Sequence, residues 1–308
     1  MDLLVNKYSP QSINEVIGNT ETLESLKCIL ENKNMPHLLF TGPPGTGKTT
    51  CAKLFAKNLI QQKEAILELN ASDDRGIETI RTTIKDFSRK KVDSIFKIII
   101  LDECDSMTTQ AQQAMRRVME INSEECKFIL VCNDFSKIFE PIQSRCAILK
   151  FDKVNLAVIT KKLQEICTKE NIPISEQGLK YIVELCDGDM RQSLNVLQPC
   201  INSPFEITEE YIIKLVGVPS PRLIGDVLDL LVNNKLEEAL KAFDLIWEDR
   251  YDPEDLITSF FNVAKRKELY TIIKLVGLAH IRIVKGCSTK MVFYSLFYEI
   301  MNEKSKLS

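Results

Sequence analysis

The segment Gly42-Pro-Pro-Gly-Thr-Gly-Lys-Thr49 has the types and spacing to hold a chain of phosphates. Several backbone N–H groups must converge on phosphate oxygens. That requires glycines that accept unusual dihedrals and close approach, here Gly42, Gly45 and Gly47, with Pro43, Pro44 and Thr46 shaping the turn. Lys48 has the reach for the outer phosphates. The Thr49 hydroxyl suits Mg2+, and Thr50 continues into a helix whose start adds positive partial charge. Such a loop needs a carboxylate to organise the metal. Asp102 closes an apolar run, where that carboxylate belongs, and Glu103 beside it can polarise the attacking water. Asn133 ends the next apolar run and could orient that water or sense the γ-phosphate. The chemistry is nucleoside triphosphate binding and hydrolysis; the purpose of the hydrolysis is not stated by these residues.

These side chains need a frame that brings them together. Leu38–Phe40 reads as a buried strand ahead of the loop, and Ala52, Leu54, Phe55, Ala56 and Leu59 follow a helical period after it. Further strands are predicted at 65–70, 96–101, 128–132 and 147–151, with helices at 77–87 and 109–121 between them, and a helix from about 19 to 32 before the first strand. Alternating strands and helices make a parallel α/β domain, in which ligands bind beyond the carboxyl ends of the strands. From about Val154 the strand signal stops. Helical patterns occupy 155–170, 175–186, 190–200 and 208–216. Beyond Pro219-Ser-Pro221 they continue at 222–233, 235–248, 254–265, 268–286 and 290–303. Three segments are expected: 1–151 for nucleotide binding, 152–217 as a helical lid, and 218–308 as a separate helical collar.

Composition narrows the class. The 308 residues are 44% hydrophobic and 27% charged, as in a soluble globular protein. The N-terminus lacks the layout of a signal peptide, and no apolar run approaches the length of a membrane span. Ten cysteines are scattered without a C-x-x-C pair and there are two histidines, so zinc is not expected and reduced thiols are. A net charge of −3 excludes a chain that is basic overall, so any nucleic-acid contact must be a local patch.

Taken in order, Gly42–Thr49, Asp102-Glu-Cys-Asp105, Asn133, Ser144-Arg-Cys146 and Gly188-Asp-Met-Arg191 resemble the AAA+ clamp-loader ATPases. Val5-Asn-Lys-Tyr-Ser-Pro10, Leu69-Asn-Ala-Ser-Asp-Asp-Arg-Gly76 and Gln112-Gln-Ala-Met-Arg-Arg-Val-Met-Glu120 strengthen the likeness. The chain looks like a small subunit of replication factor C. The resemblance covers residues 3 to about 216 with specific motifs; the collar matches by helical pattern and by Tyr251-Asp-Pro-Glu-Asp255.

The resemblance implies an ATP- and Mg2+-dependent ATPase that works in a nuclear heteropentamer with other replication factor C subunits. That assembly loads a sliding clamp (PCNA) onto primer–template DNA. It also implies residue roles. Val5, Tyr8 and Ile17 would line the adenine pocket, Asn133 would be sensor 1, and Arg191 would reach the γ-phosphate from the lid as sensor 2. Arg145 would be an arginine finger acting on the ATP of the adjacent subunit, where a permanent charge and a planar fork suit two phosphate oxygens. Arg75, Arg81 and Lys85 would track the duplex backbone, with Arg81 and Lys85 sharing a helix face. A merely solvated basic face fits that spacing too, and Arg116 and Arg117 could meet either DNA or a neighbouring subunit.

Three positions depart from the family pattern: Cys104 stands for alanine, Ser9 for arginine and Leu4 for tryptophan. Both acids are intact and the family's adenine pocket is largely backbone and apolar contact, so ATP binding is expected to survive. Two other readings fit parts of the sequence. One is a structural subunit that binds ATP and mainly supplies Arg145 to its neighbour; the other is a DNA remodeller such as a branch-migration motor.

Overall fold

The computed structural model describes residues 3–32, 34–72, 76–92, 94–201 and 203–305, with the backbone alone for 76–81 and 304–305. The chain divides into two compact units, Met1–Ile207 and Thr208–Ser308.

The first unit is built on five strands, β1 (His37–Thr41), β2 (Ile66–Asn70), β3 (Lys97–Asp102), β4 (Cys126–Cys132) and β5 (Cys146–Lys150). β1, β3 and β4 carry apolar runs that must be covered on both faces, whereas β2 and β5 keep exposed residues such as Glu68 and Ile148. All pair in parallel, in the order β2-β3-β4-β1-β5. Side chains of a strand alternate between faces, and the core divides accordingly. Leu38, Phe40, Ile98, Ile100, Ile129 and Val131 share one core. Leu39, Ile99, Leu101, Phe128, Leu130 and Cys132 share the other. Each of these is at most 2% exposed, and burying a side chain of this kind stabilises by about 1.5–3 kcal/mol.

Helices cover both faces. Ahead of the sheet come α1 (Leu4–Lys7) and α2 (Thr20–Asn32). Between the strands run α3 (Lys48–Leu59), α4 (Gly76–Arg89), α5 (Thr109–Ile121) and α6 (Glu140–Gln143). Cys51, Ala52, Phe55 and Ala56 of α3 close the first core, and Met115 and Met119 of α5 close the second. Because the sheet is parallel, the ends of β1, β3 and β4 open onto one edge, and the loops that carry the chemistry leave from it.

A helical layer completes this unit: α7 (Leu156–Lys169), α8 (Glu176–Cys186) and α9 (Met190–Leu197). The helix expected over 190–200 stops at Leu197 and tightens into a 3-10 turn, Gln198–Cys200. Pro199 has no N–H to give an α-helical bond, which accounts for the change. The N-terminal arm forms α1 and a 3-10 turn at Ile13–Glu15, neither of them among the expected helices.

Among the described residues, the elements of the second unit are all helices: α10 (Glu209–Val216), α11 (Pro221–Val232), α12 (Leu236–Glu248), α13 (Pro253–Arg266), α14 (Tyr270–Val284) and α15 (Lys290–Ser305). Its core centres on Phe243, Phe260, Phe293 and Phe297, each fully buried, with Phe243 5.0 Å from Phe293 and 5.1 Å from Phe297 between ring centres. No helix among the described residues is long and apolar enough to cross a membrane.

Candidate nucleotide site

The loop after β1 takes the shape its glycines allow. Gly42 has φ +151° and lies so close to the Phe151 carbonyl that a Cβ could not be accommodated. Gly45 and Gly47 have φ +71° and +88°, in the left-handed region that other residues enter at a cost. Lys48 is 6% exposed, and its Nζ donates to the carbonyls of Gly42 (2.7 Å) and Pro43 (2.6 Å). Those bonds occupy two of an ammonium's three donors and hold the cation inside the loop. Burial pulls its pKa below the ordinary lysine value, against the attraction of Cys132, Asp102, Asp105 and Asp189. The Thr46 hydroxyl bonds the Pro43 carbonyl at 2.9 Å and closes the turn.

β3 delivers the acids to the same place. The Thr49 hydroxyl lies 3.2 Å from Asp102 Oδ1, so the start of α3 and the end of β3 meet through two oxygens. Among the described residues no group of three or more His, Cys, Asp or Glu side chains could cage a metal. One carboxylate and one hydroxyl nevertheless fit magnesium, which keeps waters and takes phosphate oxygens for the rest of its shell. Thr49 and Asp102 are the residues that would hold it.

Asp102 Oδ1 also accepts the Glu103 N–H at 3.0 Å. Glu103 is exposed and adopts the left-handed conformation (φ 53°), uncommon for a residue with a side chain. A 3-10 turn over Cys104–Ser106 holds it there, with the Ser106 N–H and hydroxyl both donating to the Glu103 carbonyl (2.9 and 2.7 Å). Cys104 is 3% exposed; its bond to the Cys132 thiol and its burial push its pKa well up, so the departure from alanine adds a neutral, packed side chain behind the acids. Asn133 leaves β4 exposed. Its backbone N–H and that of Asp134 donate to Asp105 Oδ2 at 3.2 and 3.0 Å.

The arm and the helical layer border this loop. Leu4 is fully buried and its N–H donates to Gln198 Oε1 at 2.5 Å. Lys7 pairs with Glu170 at 2.6 Å, and the Tyr8 hydroxyl donates to the same carboxylate. Burial first, then Glu170, pushes the Tyr8 pKa up to about 12. Val5, Tyr8 and Ile17 are half-buried. Asp189 caps α9 by accepting the Gln192 N–H at 2.9 Å, and its carboxylate lies directly against Gly45, where a Cβ would overlap it. Arg191, in the first turn of α9, is exposed.

Arg145 follows α6, outside this group. One guanidinium nitrogen donates to the Pro141 carbonyl at 2.6 Å and another to Glu120. Glu120 also accepts from Arg116 at 3.0 Å, and that hydrogen bond first, then the charges of Arg116 and Arg145, lowers its pKa. Gln112, 5% exposed, ties the other end of α5 to the chain leading to α6. Its amide donates to the carbonyls of Met107 and Lys137, and its carbonyl accepts the Phe139 N–H. Gln112 and Glu120 are eight helical steps apart, about 12 Å along the axis.

Of the three cations expected to meet DNA, Arg75 lies outside the described residues, as does the side chain of Arg81. Lys85 is exposed. It lines a groove between the end of α4 and α5 with Arg89, Lys90, Lys91 and Arg117, at whose mouth Ile95 is 85% exposed.

Asp105, Gln112, Glu120, Glu170 and Asp189 carry structural tasks that residue spacing did not reveal. Asp105, Gln112, Glu120 and Asp189 each lie in a motif that carries the family resemblance, but the motif gave none of them a task.

Comparison with known proteins supplies the context. The model for the ATPase family associated with various cellular activities matches residues 38–152. An RCF1/5-like AAA+ ATPase lid domain matches 161–200, and the replication factor C C-terminal domain matches 219–298. The chain is 59% identical to replication factor C subunit 4 of Encephalitozoon cuniculi, over 99% of each chain. It is 38% identical to subunit 4 of Saccharomyces cerevisiae, over 98% of this chain and 96% of that one. To the replication factor C small subunit of Methanococcus vannielii it is 41% identical, over 95% and 96%. In fold it is similar to the Thermotoga maritima RuvB Holliday junction branch migration motor, with TM-score 0.55 and 16% identity over 77% of this chain and 85% of that one.

Proposed function

The chain belongs to the replication factor C family, and from that premise we propose that it is an ATP-hydrolysing subunit of a clamp loader. It would act in a heteropentamer with other replication factor C subunits, in the nucleus, to open a sliding clamp (PCNA) and set it on primer–template DNA. The observation that carries the reading is the meeting of Lys48, Thr49, Asp102 and Glu103 at one end of the sheet.

ATP lies in the loop with its adenine toward Val5, Tyr8 and Ile17. The backbone of Gly42–Gly47 and the amino group of Lys48 take the phosphates. Magnesium at Thr49 and Asp102 would supply positive charge to the β- and γ-phosphate oxygens. Glu103 accepts a proton from the water that attacks the γ-phosphorus, and the bond to the bridging oxygen of ADP breaks. Asn133 and Arg191 orient the water and the γ-phosphate. Arg145 reaches the phosphates of the adjacent subunit, where a finger can be worth about 10³–10⁵ in rate. Arg75, Arg81 and Lys85 neutralise the phosphate backbone without reading bases, which supports sequence-independent, salt-sensitive binding. The segments 1–151, 152–217 and 218–308 would serve as motor, lid and collar.

Glu103 beside Asp102 favours hydrolysis over a silent, purely structural subunit. The branch-migration motor shares the fold, whereas the full-length likeness to replication factor C includes its C-terminal domain.

Co-expression with four related subunits tests the reading. ATP turnover should rise with primed DNA and clamp together. With the other subunits' sites disabled, Lys48→Ala should abolish the remaining turnover; turnover unchanged by Lys48→Ala refutes the proposal.

A further inference from the structure

Asp105 has no part in the reaction as set out, yet its carboxylate joins two of the strand ends that make the site. The β3–β4 ladder runs to the pair Leu101 and Leu130. Past that pair the acids leave on one strand and Asn133 on the other. The bond between these departing ends comes from Asp105 Oδ2, which accepts the N–H groups of Asn133 (3.2 Å) and Asp134 (3.0 Å). Two successive N–H groups turned toward one oxygen make a small anion-binding concavity, and bonds to a charged acceptor are about twice as strong as neutral ones.

The far side of each segment is also fixed. Asp134 turns its own carboxylate to the N–H and hydroxyl of Ser136 (2.9 and 2.6 Å), so it does not compete for these donors. Asp105 sits inside the same 3-10 turn that holds Glu103 in its left-handed conformation. One short turn therefore carries the acid that faces the water and the acid that grips the backbone of Asn133.

We infer that Asp105 is a positioning residue for ATP hydrolysis, setting Asn133 in register with Glu103 by holding the backbone of residues 133 and 134. The inference rests on the reading of Asn133 as the residue that orients the water or the γ-phosphate.

The test is single-turnover hydrolysis in the full complex, with the other sites disabled, alongside ATP affinity. Asp105→Ala should slow hydrolysis about 10–100-fold, the range for groups that orient the ligands of a reacting centre, while ATP affinity, which Asp105 reaches only through its charge on Lys48, should change far less. Asp105→Asn should restore most of the rate, because one amide oxygen can accept both N–H groups. Asp105→Ala combined with Asn133→Ala should be no slower than the slower single variant. If Asp105→Ala fails to assemble, Asp105→Glu keeps the charge, displaces the oxygens by one methylene, and should assemble with slowed hydrolysis. Wild-type rates in Asp105→Ala or Asp105→Glu, failure of Asp105→Asn to exceed Asp105→Ala, or losses that multiply in the double variant would each overturn the inference. A wild-type rate in Asn133→Ala would instead remove the premise.

Discussion

Leu4 tests whether the N-terminal arm belongs to the ATP site. The family pattern has tryptophan there, and the smaller leucine is still fully buried. Around it, α1 is held by one bond to Gln198 and by the contacts of Lys7 and Tyr8 with Glu170, whereas Ile13 and Val16, farther along the arm, are buried in the first core. The Lys7 side chain is 51% exposed, so solvent screens its ion pair and it adds little to docking. Truncating a buried leucine to alanine costs about 2–5 kcal/mol. A loss of about 3 kcal/mol multiplies the undocked-to-docked ratio by roughly 100. Because α1 itself is held by these few contacts, Leu4→Ala should appear as local opening of α1 rather than global unfolding. Hydrogen exchange at the amides of Leu4 and Tyr8, which donate to Gln198 and to the Leu4 carbonyl, should quicken by about that factor. On the proposed reading, in which Val5 and Tyr8 line the adenine pocket, ATP affinity should fall, up to the same ceiling, because only the docked fraction presents them to the base. Thermal unfolding of the whole chain should shift far less than a global loss of that size requires. If exchange at these amides is unchanged while the melting temperature drops by several degrees, the arm opens only with the core and the reasoning fails. Rapid exchange with undiminished ATP affinity would remove Val5 and Tyr8 from the adenine pocket.

Glu103→Gln should retain ATP binding and slow single-turnover hydrolysis by about 10²–10⁴, the usual worth of a positioned general base; an unchanged rate would favour a structural subunit. Arg145→Ala should leave this chain's own ATP affinity intact and slow hydrolysis at the adjacent subunit by about 10³ or more, read with only that neighbouring site active. His37 accepts the Phe128 N–H at Nδ1, and burial, then the charge of Lys127, pushes its pKa down to about 4 from 6.5. In the unfolded chain it protonates near 6.5 while in the folded chain it stays neutral, so its contribution is lost as pH falls from about 6.5 toward 4. The difference in urea stability between wild type and His37→Asn should therefore shift in favour of the variant across that window; a difference that does not depend on pH would contradict this.

The motor's frame was readable because its demands fall on residue type. A loop that cradles phosphate must have glycine where φ is positive, and Gly42, Gly45 and Gly47 show that geometry. A central parallel strand must be apolar on both faces, and Ile98–Leu101 could be little else. Proline and helix period likewise marked the long helices; at Pro199 the difference is where a helix tightens, and the helices that were not expected, α1 and α6, are single turns of four residues, too short to show a period. What spacing could not show are bonds whose partner is a backbone atom brought near by the fold. Gln112 bonds carbonyls of Met107 and Lys137 and the N–H of Phe139, and every residue type offers those groups. Glu120, on the last turn of the same helix, reads as a surface acid, although it holds both Arg116 and Arg145. The helix between them starts just beyond the turn that carries Glu103 and ends on the arginine proposed to serve the neighbour. Energetic coupling between sites is carried by packed side chains, hydrogen-bond networks and rigid elements that link them. Gln112 and Glu120 are thus the pair to examine for coupling between this chain's ATP and its neighbour's. A double-mutant cycle of Gln112→Ala and Glu120→Ala, read at the neighbouring site, should give a combined loss smaller than the product of the single losses; fully independent losses would mean that α5 is only a scaffold.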